Sequence, residues 1–337
     1  MPRMRRLPAM VLCAAGCFTS SVPSAQVASS PVVLVLDIEN LVEYQNDVAD
    51  PAKFATNEGV TPAATPSNFL QAVVIGDIVA VNGEPAKGTF VGRPAGIRLS
   101  PEARRGLAVA DTTRISIGLR TFEILKVDGT PIGTIVAEGL NGGTTPPGPD
   151  VGGQNFAIVG GTGAFLGARG QQGGRQFSQR IAPRAASVTE DPANRRRNGG
   201  GKVRWVLAVF PMTRPEVVVT ASGPSIAHLS DHTLVTSSNP ARPGEMLSLV
   251  ATGLGPTVPP VDFGQPFPSS PPAAVNSPLQ ISVNGKRSQV RRALGVPRTV
   301  DAYDVEFQVP PEIAAGQAPV QLTAAWISGP TVEMPIR

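Results

Sequence analysis

Residues 113–140 read TRISIGLRTFEILKVDGTPIGTIVAEGL and carry the strongest local fold signal in the chain. In the first half, apolar side chains alternate with polar ones, as they do along a β-strand with one buried face. These apolar positions are Ile115, Ile117, Leu119, Phe122, Ile124 and Val127. Asp128-Gly129 is a dipeptide typical of the tight turns that join antiparallel strands. Residues 130–140 then return as a second strand, so the segment predicts a β-hairpin.

Segments of the same kind lie on both sides of this hairpin. They are short, rich in Val, Ile, Thr and Phe, and punctuated by turn residues, since the 337 residues include 36 glycines and 35 prolines. No long run has apolar residues at helical spacing. The predicted strands cover residues 32–40, 69–81, 89–99, 113–127, 130–140, 155–160, 173–181 and 202–212. About eight strands can close a small antiparallel barrel, which we predict for residues 31–212.

Residues 213–215 form a predicted linker, after which the segments become shorter and proline becomes denser. Further strands are predicted at residues 217–221, 245–252, 279–284, 302–309, 318–325 and 331–336. About six or seven strands in this length are typical of an immunoglobulin-like sandwich, here without the cysteine pair of antibody domains. The predicted fold is therefore all-β: an eight-stranded antiparallel β-barrel followed by a C-terminal immunoglobulin-like β-sandwich at residues 216–337.

The first 25 residues have the organisation of a signal peptide. Arg3, Arg5 and Arg6 precede an apolar stretch of about a dozen residues, which is too short for a membrane-spanning helix of about 20. Small residues up to Ala25 suit cleavage by a signal peptidase. We therefore expect an exported chain that is secreted or held in the periplasm or at the cell surface. No later stretch is apolar and long enough to predict an integral membrane span.

Both cysteines of the chain, Cys13 and Cys17, lie inside this leader. The mature chain is therefore expected to use neither disulfides nor thiol chemistry. The residues Ala14-Ala15-Gly16-Cys17 resemble a bacterial lipobox, although Ala14 replaces the usual large aliphatic residue. Two interpretations stay open: a freely exported protein, or one anchored through a lipid on Cys17.

Charge and histidine content limit the classes of function. Three leader arginines account for most of the formal net charge of +4, so the mature chain lacks a broad footprint for nucleic acid. Residues 195–197, RRR, lie in a glycine-rich stretch near Glu190 and Asp191, which predicts an exposed loop. The alternative, a nucleic-acid patch, is disfavoured because no aromatic stacking platform accompanies the arginines. His228 and His232 lie in a serine-rich stretch that predicts solvated loop histidines rather than a zinc site. We predict no metal and no cofactor, and residues 26–212 contain no histidine for Ser-His-Asp catalysis.

Residues 158–170, IVGGTGAFLGARG, form the most unusual motif of the chain. A dinucleotide-binding loop would need GxGxxG spacing and a helix directly after it. Here the spacing is GxGxxxG, and the following glycines and glutamines are poor helix formers. The motif instead predicts a tight turn between two strands that tucks Phe165 into the end of the barrel. The structural residues of this turn are Gly160, Gly161, Gly163, Phe165 and Gly170.

The same motif resembles the GGTGxFxxARG signature of the dirigent and allene oxide cyclase barrel superfamily. Residues 91–96, VGRPAG, are similar to the family's vGraqG segment, and the resemblance covers residues 31–212. Similar proteins form eight-stranded barrels around an apolar pocket, often as trimers or dimers. Plant members cyclise an unstable fatty-acid epoxide or steer the radical coupling of phenols. The resemblance therefore implies a small apolar ligand or substrate and allows a homo-oligomer through the barrel.

The resemblance also implies candidate pocket residues. Plant dirigents carry paired aspartates before a proline where this chain has Asn82-Gly83-Glu84-Pro85, so one acid remains. Two arginines match family positions and either brace the barrel or line its pocket. Three further acids lie on predicted strands, where an inward carboxylate would have to be paired or functional. The candidates for the ligand pocket are Glu84, Arg93, Arg169, Asp77, Glu123 and Glu138, with no catalytic residue assigned.

The C-terminal part has a resemblance of its own. Residues 243–256, PGEMLSLVATGLGP, are similar to the opening of a C-terminal module found on exported proteins of soil bacteria. Residues 301–310 and 316–320 fit the later strands of that module, and the resemblance covers residues 216–337. It implies an immunoglobulin-like spacer, adhesive or surface-presentation unit.

Three functions remain open on the sequence. The first is an exported non-catalytic binding or surface-associated protein whose barrel holds a small apolar ligand. The second is a dirigent-like or allene oxide cyclase-like enzyme or steering protein that guides cyclisation or coupling of a reactive apolar substrate. The third is a purely structural protein of the envelope or matrix. The interior of the barrel is the feature that separates them, because a ligand needs space and polar groups there.

Overall fold

A computed structural model describes residues 30–47, 68–98, 115–141, 154–174, 181–187 and 189–337. Most of the described chain up to Phe210 belongs to one antiparallel sheet. Its strands are β1 (Val32–Asp47), β2 (Asn68–Val81), β3 (Glu84–Arg98), β4 (Ile115–Leu125), β5 (Pro131–Asn141), β6 (Gln154–Gly163), β7 (Arg169–Gly174), β8 (Arg184–Ser187) and β9 (Gly201–Phe210).

The sheet closes on itself through β1. This strand pairs antiparallel with β2 on one side and with β9 on the other, and the remaining strands follow in chain order. Eight strands make the closed barrel, while β8 runs parallel to β1 and lies outside the ring. The predicted eight-stranded barrel is therefore confirmed. Closure removes the free edges at which an open sheet could pair with another chain.

Side chains of the barrel itself fill most of its described interior. Alternate residues of each strand point inward, as the period of two requires. The largest fully buried side chains in the barrel are Phe122, Phe156, Phe165, Leu34, Leu36, Ile38, Ile78, Ile124, Ile132, Ile135 and Ile158. Rings of Phe90 and Phe122 lie 5.2 Å apart near the middle. A bound molecule cannot occupy the level of these rings without displacing them, because protein interiors are closely packed.

Strand β4 differs from its sequence pattern in an informative way. The apolar positions switch from odd to even numbers after Leu119, yet the pairing of β4 with β3 continues without a register shift. One set must therefore face outward. Phe122 and Ile124 are fully buried, whereas Ile117 and Leu119 are 57% and 38% exposed. Arg120 shares the inward face of Phe122 and is consequently buried.

The two ends of the barrel differ. At one end, called the base here, strands join through Asn82-Gly83, residues 126–130 and residues 164–168. At the other end, called the mouth, the connections run through residues 48–67, 99–114, 142–153 and 175–200, and much of these lies outside the described ranges. The tight turns leave little room for a site at the base.

The C-terminal part is a second all-β unit, an immunoglobulin-like β-sandwich with its own core. One strand, β18, takes part in both faces, so the sheet is nearly closed. The strands are β10 (Glu216–Val217), β11 (Val219–Thr220), β12 (Gly223–Pro224), β13 (Ile226–His228), β14 (Met246–Thr252), β15 (Thr257–Val258), β16 (Ala274–Val275), β17 (Leu279–Val283), β18 (Lys286–Gly295), β19 (Tyr303–Gln308), β20 (Gly316–Ala324) and β21 (Ile327–Ile336).

The long strand β18 was not predicted from the sequence. Its residues, KRSQVRRALG, include four cations, and this composition hides the alternation of a strand. The preceding Asn284-Gly285 pair has φ angles of 49° and 74°, which a two-residue hairpin turn requires. That dipeptide was the available signal for a hairpin between β17 and β18.

The sandwich fills the base of the barrel with one of its turns. Ala325 and Trp326 connect β20 to β21 and have φ angles of 48° and 61°, so the turn is tight and protrudes. Together with Ile327 they belong to the same cluster of buried apolar side chains as the barrel core. Trp326 is only 9% exposed, so its indole serves as the floor of the barrel.

The chain between the two units also packs closely. Gly329 on β21 lies so near the carbonyl of Pro215 that a β-carbon there would overlap it. Gly253 faces the carbonyl of Arg214 in the same way. Residues 213–215, predicted as a linker, are therefore pressed against the sandwich.

Replacing Trp326 by alanine is expected to lower the free energy of unfolding by about 3–5 kcal/mol, because it leaves a large cavity in the floor of the barrel. Urea unfolding followed by circular dichroism measures the change. Phe263→Ala serves as the control, since this ring is 78% exposed and its loss should change stability by less than about 0.5 kcal/mol. Equal stability of the two variants would contradict the role assigned to the Trp326 turn.

Candidate ligand site at the barrel mouth

Arg120 is the charged side chain that β4 directs into the barrel. It is 7% exposed and has Phe122, fully buried, as its inward neighbour toward the base. Its inward neighbour toward the mouth is Gly118, which carries no side chain. The guanidinium therefore lies on the inward face next to Phe122, and its neighbour on the mouth side has no side chain.

Aromatic rings surround the guanidinium. Its central carbon lies 3.7 Å from the ring centre of Phe156 on β6 and 4.5 Å from that of Trp205 on β9. Both distances fall within the range of cation–π attraction, which is stronger where water is excluded. Phe90 continues the aromatic column toward the base, 6.4 Å from Trp205. The rings hold the cation in place and form an apolar wall beside it.

Two further polar groups lie next to Arg120. Its Nη1 donates a hydrogen bond of 2.7 Å to Oε1 of Gln172, a fully buried side chain on β7. The amide nitrogen of Gln172 donates in turn to the carbonyl of Gly173 at 3.2 Å, which fixes the orientation of the amide. Nε1 of Trp205 is buried and has no hydrogen-bond partner among the described residues. An unsatisfied buried donor is uncommon and indicates a position for an acceptor.

Burial lowers the pKa of Arg120 to about 9. The cause is loss of hydration, which disfavours the charged form of any buried base. A cation kept in such a place destabilises the fold relative to an apolar side chain of similar size.

One acid shares the inward face at the same level. The strand registers align Glu43 with Val74, Val74 with Gly92, and Gly92 with Arg120. Val74 packs on the barrel core, so Glu43, its partner on β1, also lies on the inward face. The mouth therefore presents an acid on β1 and a base on β4 in one row across the sheet.

The six candidates from the sequence do not form one site. Glu84 lies at the rim of the base, where its carboxylate accepts hydrogen bonds of 2.6 and 2.7 Å from Gln280 and one of 3.2 Å from Trp326. Arg287 lies 3.3 Å from the same carboxylate. Glu84 thus joins the barrel to the sandwich, at the end of β3 opposite the mouth.

The remaining candidates lie on the outer face of the barrel. Arg93, Glu123 and Glu138 are exposed there. Arg169 is also exposed and donates to the carbonyls of Val159 and Ala168 at 2.6 and 2.9 Å. It braces the strands on either side of the glycine turn.

The glycine motif forms the turn between β6 and β7. Residues 164–167 make the turn, and Phe165 is 1% exposed within the barrel core. Gly163 has a φ of 60°, and Gly170 a φ of 144° with the carbonyl of Ala208 against it. A β-carbon at either position would meet backbone atoms, which explains why glycine stands there.

Asp77 takes part in an ionic cluster on the outside of the barrel. Its carboxylate accepts from Arg195 at 2.6 Å, from Arg196 at 2.9 Å and from the amide of Asn40 at 2.9 Å. Burial alone would raise the pKa of Asp77, but these hydrogen bonds lower it far below the ordinary range of aspartate. Arg195 is 8% exposed, so the prediction of an exposed arginine loop is wrong for this residue. The cluster fastens the helical turn Arg195–Asn198 to the bulge of β1 at Asn40.

The histidine prediction also needs correction. His228 lies on β13 and is 6% exposed, so it is not a solvated loop residue. Its Nδ1 lies 2.7 Å from Oε1 of Glu245, and its Nε2 lies 3.3 Å from the carbonyl oxygen of Asn239. Burial alone would lower its pKa, but these two partners raise it overall. His228 is therefore a structural pair with Glu245.

Two kinds of feature are absent from the described ranges. No group of three or more His, Cys, Asp or Glu side chains there could hold a metal ion. No helix within the same ranges is long and apolar enough to cross a membrane.

Searches of protein-family models, of curated proteins and of solved structures find no match to this chain.

Asp77→Asn is expected to lower the free energy of unfolding at pH 7 by about 2–4 kcal/mol, because it leaves the buried Arg195 without a counter-charge. The difference should shrink as the pH falls below about 4, since a carboxylate with a lowered pKa loses its contribution when it is protonated. Urea unfolding of both proteins from pH 7 to pH 3 measures it. Glu123→Gln, at an exposed position, should behave as the wild type at every pH. A constant difference would contradict the ionic cluster.

Proposed function

We propose that this chain is an exported, non-catalytic binding protein whose barrel holds one small, largely apolar molecule at its mouth. The observation that carries the proposal is the buried Arg120, held by Gln172 and two aromatic rings inside the barrel. A mostly apolar site with a few convergent polar groups is the usual form of a small-molecule site.

The filled barrel supports a site at the mouth rather than a channel. Phe90, Phe122 and the Trp326 turn occupy the barrel from its middle to its base. A bound molecule would therefore rest on Trp205 and Phe156. Its contact with the rings supplies affinity through burial of apolar surface, at about 25 cal/mol per Å².

The proposal also includes export of the chain and presentation of the barrel by the sandwich. The leader of residues 1–25 predicts export, although it lies outside the described residues. The sandwich has a separate core and contacts the barrel at the base, so the opposite end stays clear of it. A unit docked in this way can attach or present the barrel without covering its mouth. The resemblance to dirigent and allene oxide cyclase barrels supports the same assignment.

The full chain, incubated with lipid and phenolic extracts and then washed, should retain a compound that mass spectrometry detects after denaturation. The two tryptophans, Trp205 and Trp326, report its location. In Trp326→Phe the retained compound should change the emission of Trp205 at the mouth. In the matched variant Trp205→Phe, mass spectrometry first shows how much compound is still retained, and with compound bound the emission of Trp326 at the base should stay unchanged. Retention of nothing would contradict the proposal and favour a structural role.

A cavity away from the mouth makes this location test necessary. It has a volume of about 350 Å³ and lies between the turn of residues 164–167 and the sandwich, with Met212, Phe263 and Val300 among its lining residues. A compound that changed the emission of Trp326 but not that of Trp205 would place the ligand there and contradict a site at the mouth.

One observation favours a steering protein as the second candidate. Glu43 and Arg120 face the interior in the same row of residues, so an acid and a base flank the mouth. Such a pair could orient a reactive apolar substrate during cyclisation or coupling. Conversion of a retained compound by the wild type, and its loss in Glu43→Gln, would favour this candidate over binding alone.

A further inference from the structure

We infer that the cavity between the turn of residues 164–167 and the sandwich, called the side cavity here, binds a small apolar amine, with the ammonium group beside Asp262 and Asp301. Both this site and the chemical class of its ligand differ from those proposed for the mouth. The volume of about 350 Å³ is in the usual range of small-molecule sites. At the roughly 30 Å³ that a water molecule occupies in the liquid, it offers space for about a dozen non-hydrogen atoms.

Apolar side chains make up most of the described lining of the side cavity. Some are buried, such as Phe267 and Ile327. Others are large and exposed to solvent, and each of these comes from a different segment of the chain: Leu166, Met212, Phe263 and Val300. Single exposed apolar residues are ordinary, but several that converge on one concave surface indicate a binding site for an apolar group.

The donors of three lining residues are used within the protein. The hydroxyls of Ser277 and Tyr303 each donate a hydrogen bond of 2.8 Å to a carbonyl oxygen of residues 254–255. The N–H of Gly253 donates to the carboxylate of Asp301 at 3.1 Å. A hydroxyl has one hydrogen to donate and a carboxylate has none, so these side-chain oxygens can only accept a further hydrogen bond. They therefore complement a ligand group that donates.

The ionic charge of the lining is negative. Asp262 and Asp301 line the side cavity, and no lysine, arginine or histidine is among its lining residues in the described part of the chain. Burial raises the pKa of Tyr303, and the charge of nearby Asp301 raises it further, so this charge acts on the buried wall as well. A cationic donor gains from both acids, whereas an alcohol or an amide gains only hydrogen bonds.

Aromatic rings favour the same class of ligand. Phe263, Phe267 and Tyr303 line the side cavity, and the ring centres of Phe267 and Tyr303 lie 5.0 Å apart. The face of an aromatic ring attracts an ammonium group, because the face carries the negative part of the ring quadrupole. An anion of the same size would be repelled by the two acids. An apolar amine is therefore favoured over an apolar alcohol and over a fatty acid.

Three probes with the same eight-carbon chain separate these classes: n-octylamine, which is protonated at pH 7, n-octanol and octanoate. Isothermal titration calorimetry with the full chain measures the Kd of each. Octylamine should bind at least about fivefold more tightly than octanol, because two exposed carboxylates each add a modest attraction. Octanoate should bind more weakly than octanol. The preference for octylamine should decrease as the salt concentration rises.

Tryptophan emission locates the bound amine. In Trp205→Phe, octylamine should change the emission of Trp326, because its chain neighbours Ala325 and Ile327 line the side cavity. In Trp326→Phe, the emission of Trp205 at the mouth should stay unchanged. The opposite pattern would place octylamine at the mouth and overturn the inference.

Two double variants isolate the acids. Asp262→Asn with Asp301→Asn removes both charges at nearly constant shape, and asparagine at 301 can still accept from Gly253 and adopt the φ of 53° found there. This variant should bind octylamine no more tightly than octanol. Glu123→Gln with Glu138→Gln changes the net charge equally at exposed positions on the outer face of the barrel, and should keep the wild-type preference.

Circular dichroism checks that both double variants are folded. If the Asp262→Asn, Asp301→Asn variant does not fold, Asp262→Asn alone should still reduce the preference, because Asp262 is exposed. Phe263→Ala removes apolar surface from the side cavity and should weaken the binding of octylamine and octanol to a similar degree.

Each contrary result removes a different part of the inference. Equal binding of octylamine and octanol by the wild type would overturn the amine as the ligand class. A preference that survives in the folded Asp262→Asn, Asp301→Asn variant would overturn the role of the two acids. Binding of none of the probes would overturn the site itself and leave the proposed function standing. Washing the lipid and phenolic extract with dilute acid removes amines, so the mouth can be tested without a ligand for the side cavity.

Discussion

Closure of the barrel through β1, which pairs with β2 on one side and with β9 on the other, decides the orientation of every side chain in the ring. Once a sheet is closed, a strand without a bulge has one inward face along its whole length. Strand β4 is such a strand from Ile115 to Ile124. Burial of Phe122 in the core therefore forces Arg120 inward two residues earlier. The candidate site is a consequence of this constraint.

The sequence was sufficient for the fold class but not for the site. Alternating apolar residues and Asp128-Gly129 predict strands and a hairpin because these signals are local. The inward face of β4 is not a local property. Ile117 and Leu119 have the alternation of buried residues, and only the unshifted register of β4 with β3 shows that they face outward. Arg120 was missed for that reason, although Gly118, Arg120 and Phe122 are alternate residues and therefore share one face of the strand. Gln172 and Trp205 were likewise invisible until the barrel brought β7 and β9 beside β4.

Charged groups in this protein fall into two kinds, and hydrogen-bond accounting separates them. Asp77 and Glu84 accept from several donors and so join distant parts of the chain. Both are conspicuous in the sequence, yet their partners identify them as braces. Arg120 differs from these braces, because it lies inside the barrel against two aromatic rings and donates to Gln172. Beside it, the donor of Trp205 has no acceptor in the described structure.

The floor of the barrel comes from another part of the chain, and this affects how the protein can assemble. Glu84 and Trp326, which meet at the base, are separated by 242 residues. Contacts of such long range form late, because loop closure must precede them. A barrel that emerged first during synthesis would have an unsealed core until the sandwich had followed and folded. Apolar surface exposed in this interval is a target for chaperones and a source of aggregation. Folding of the barrel should therefore depend on completion of the C-terminal unit, whose turn at Trp326 supplies its floor.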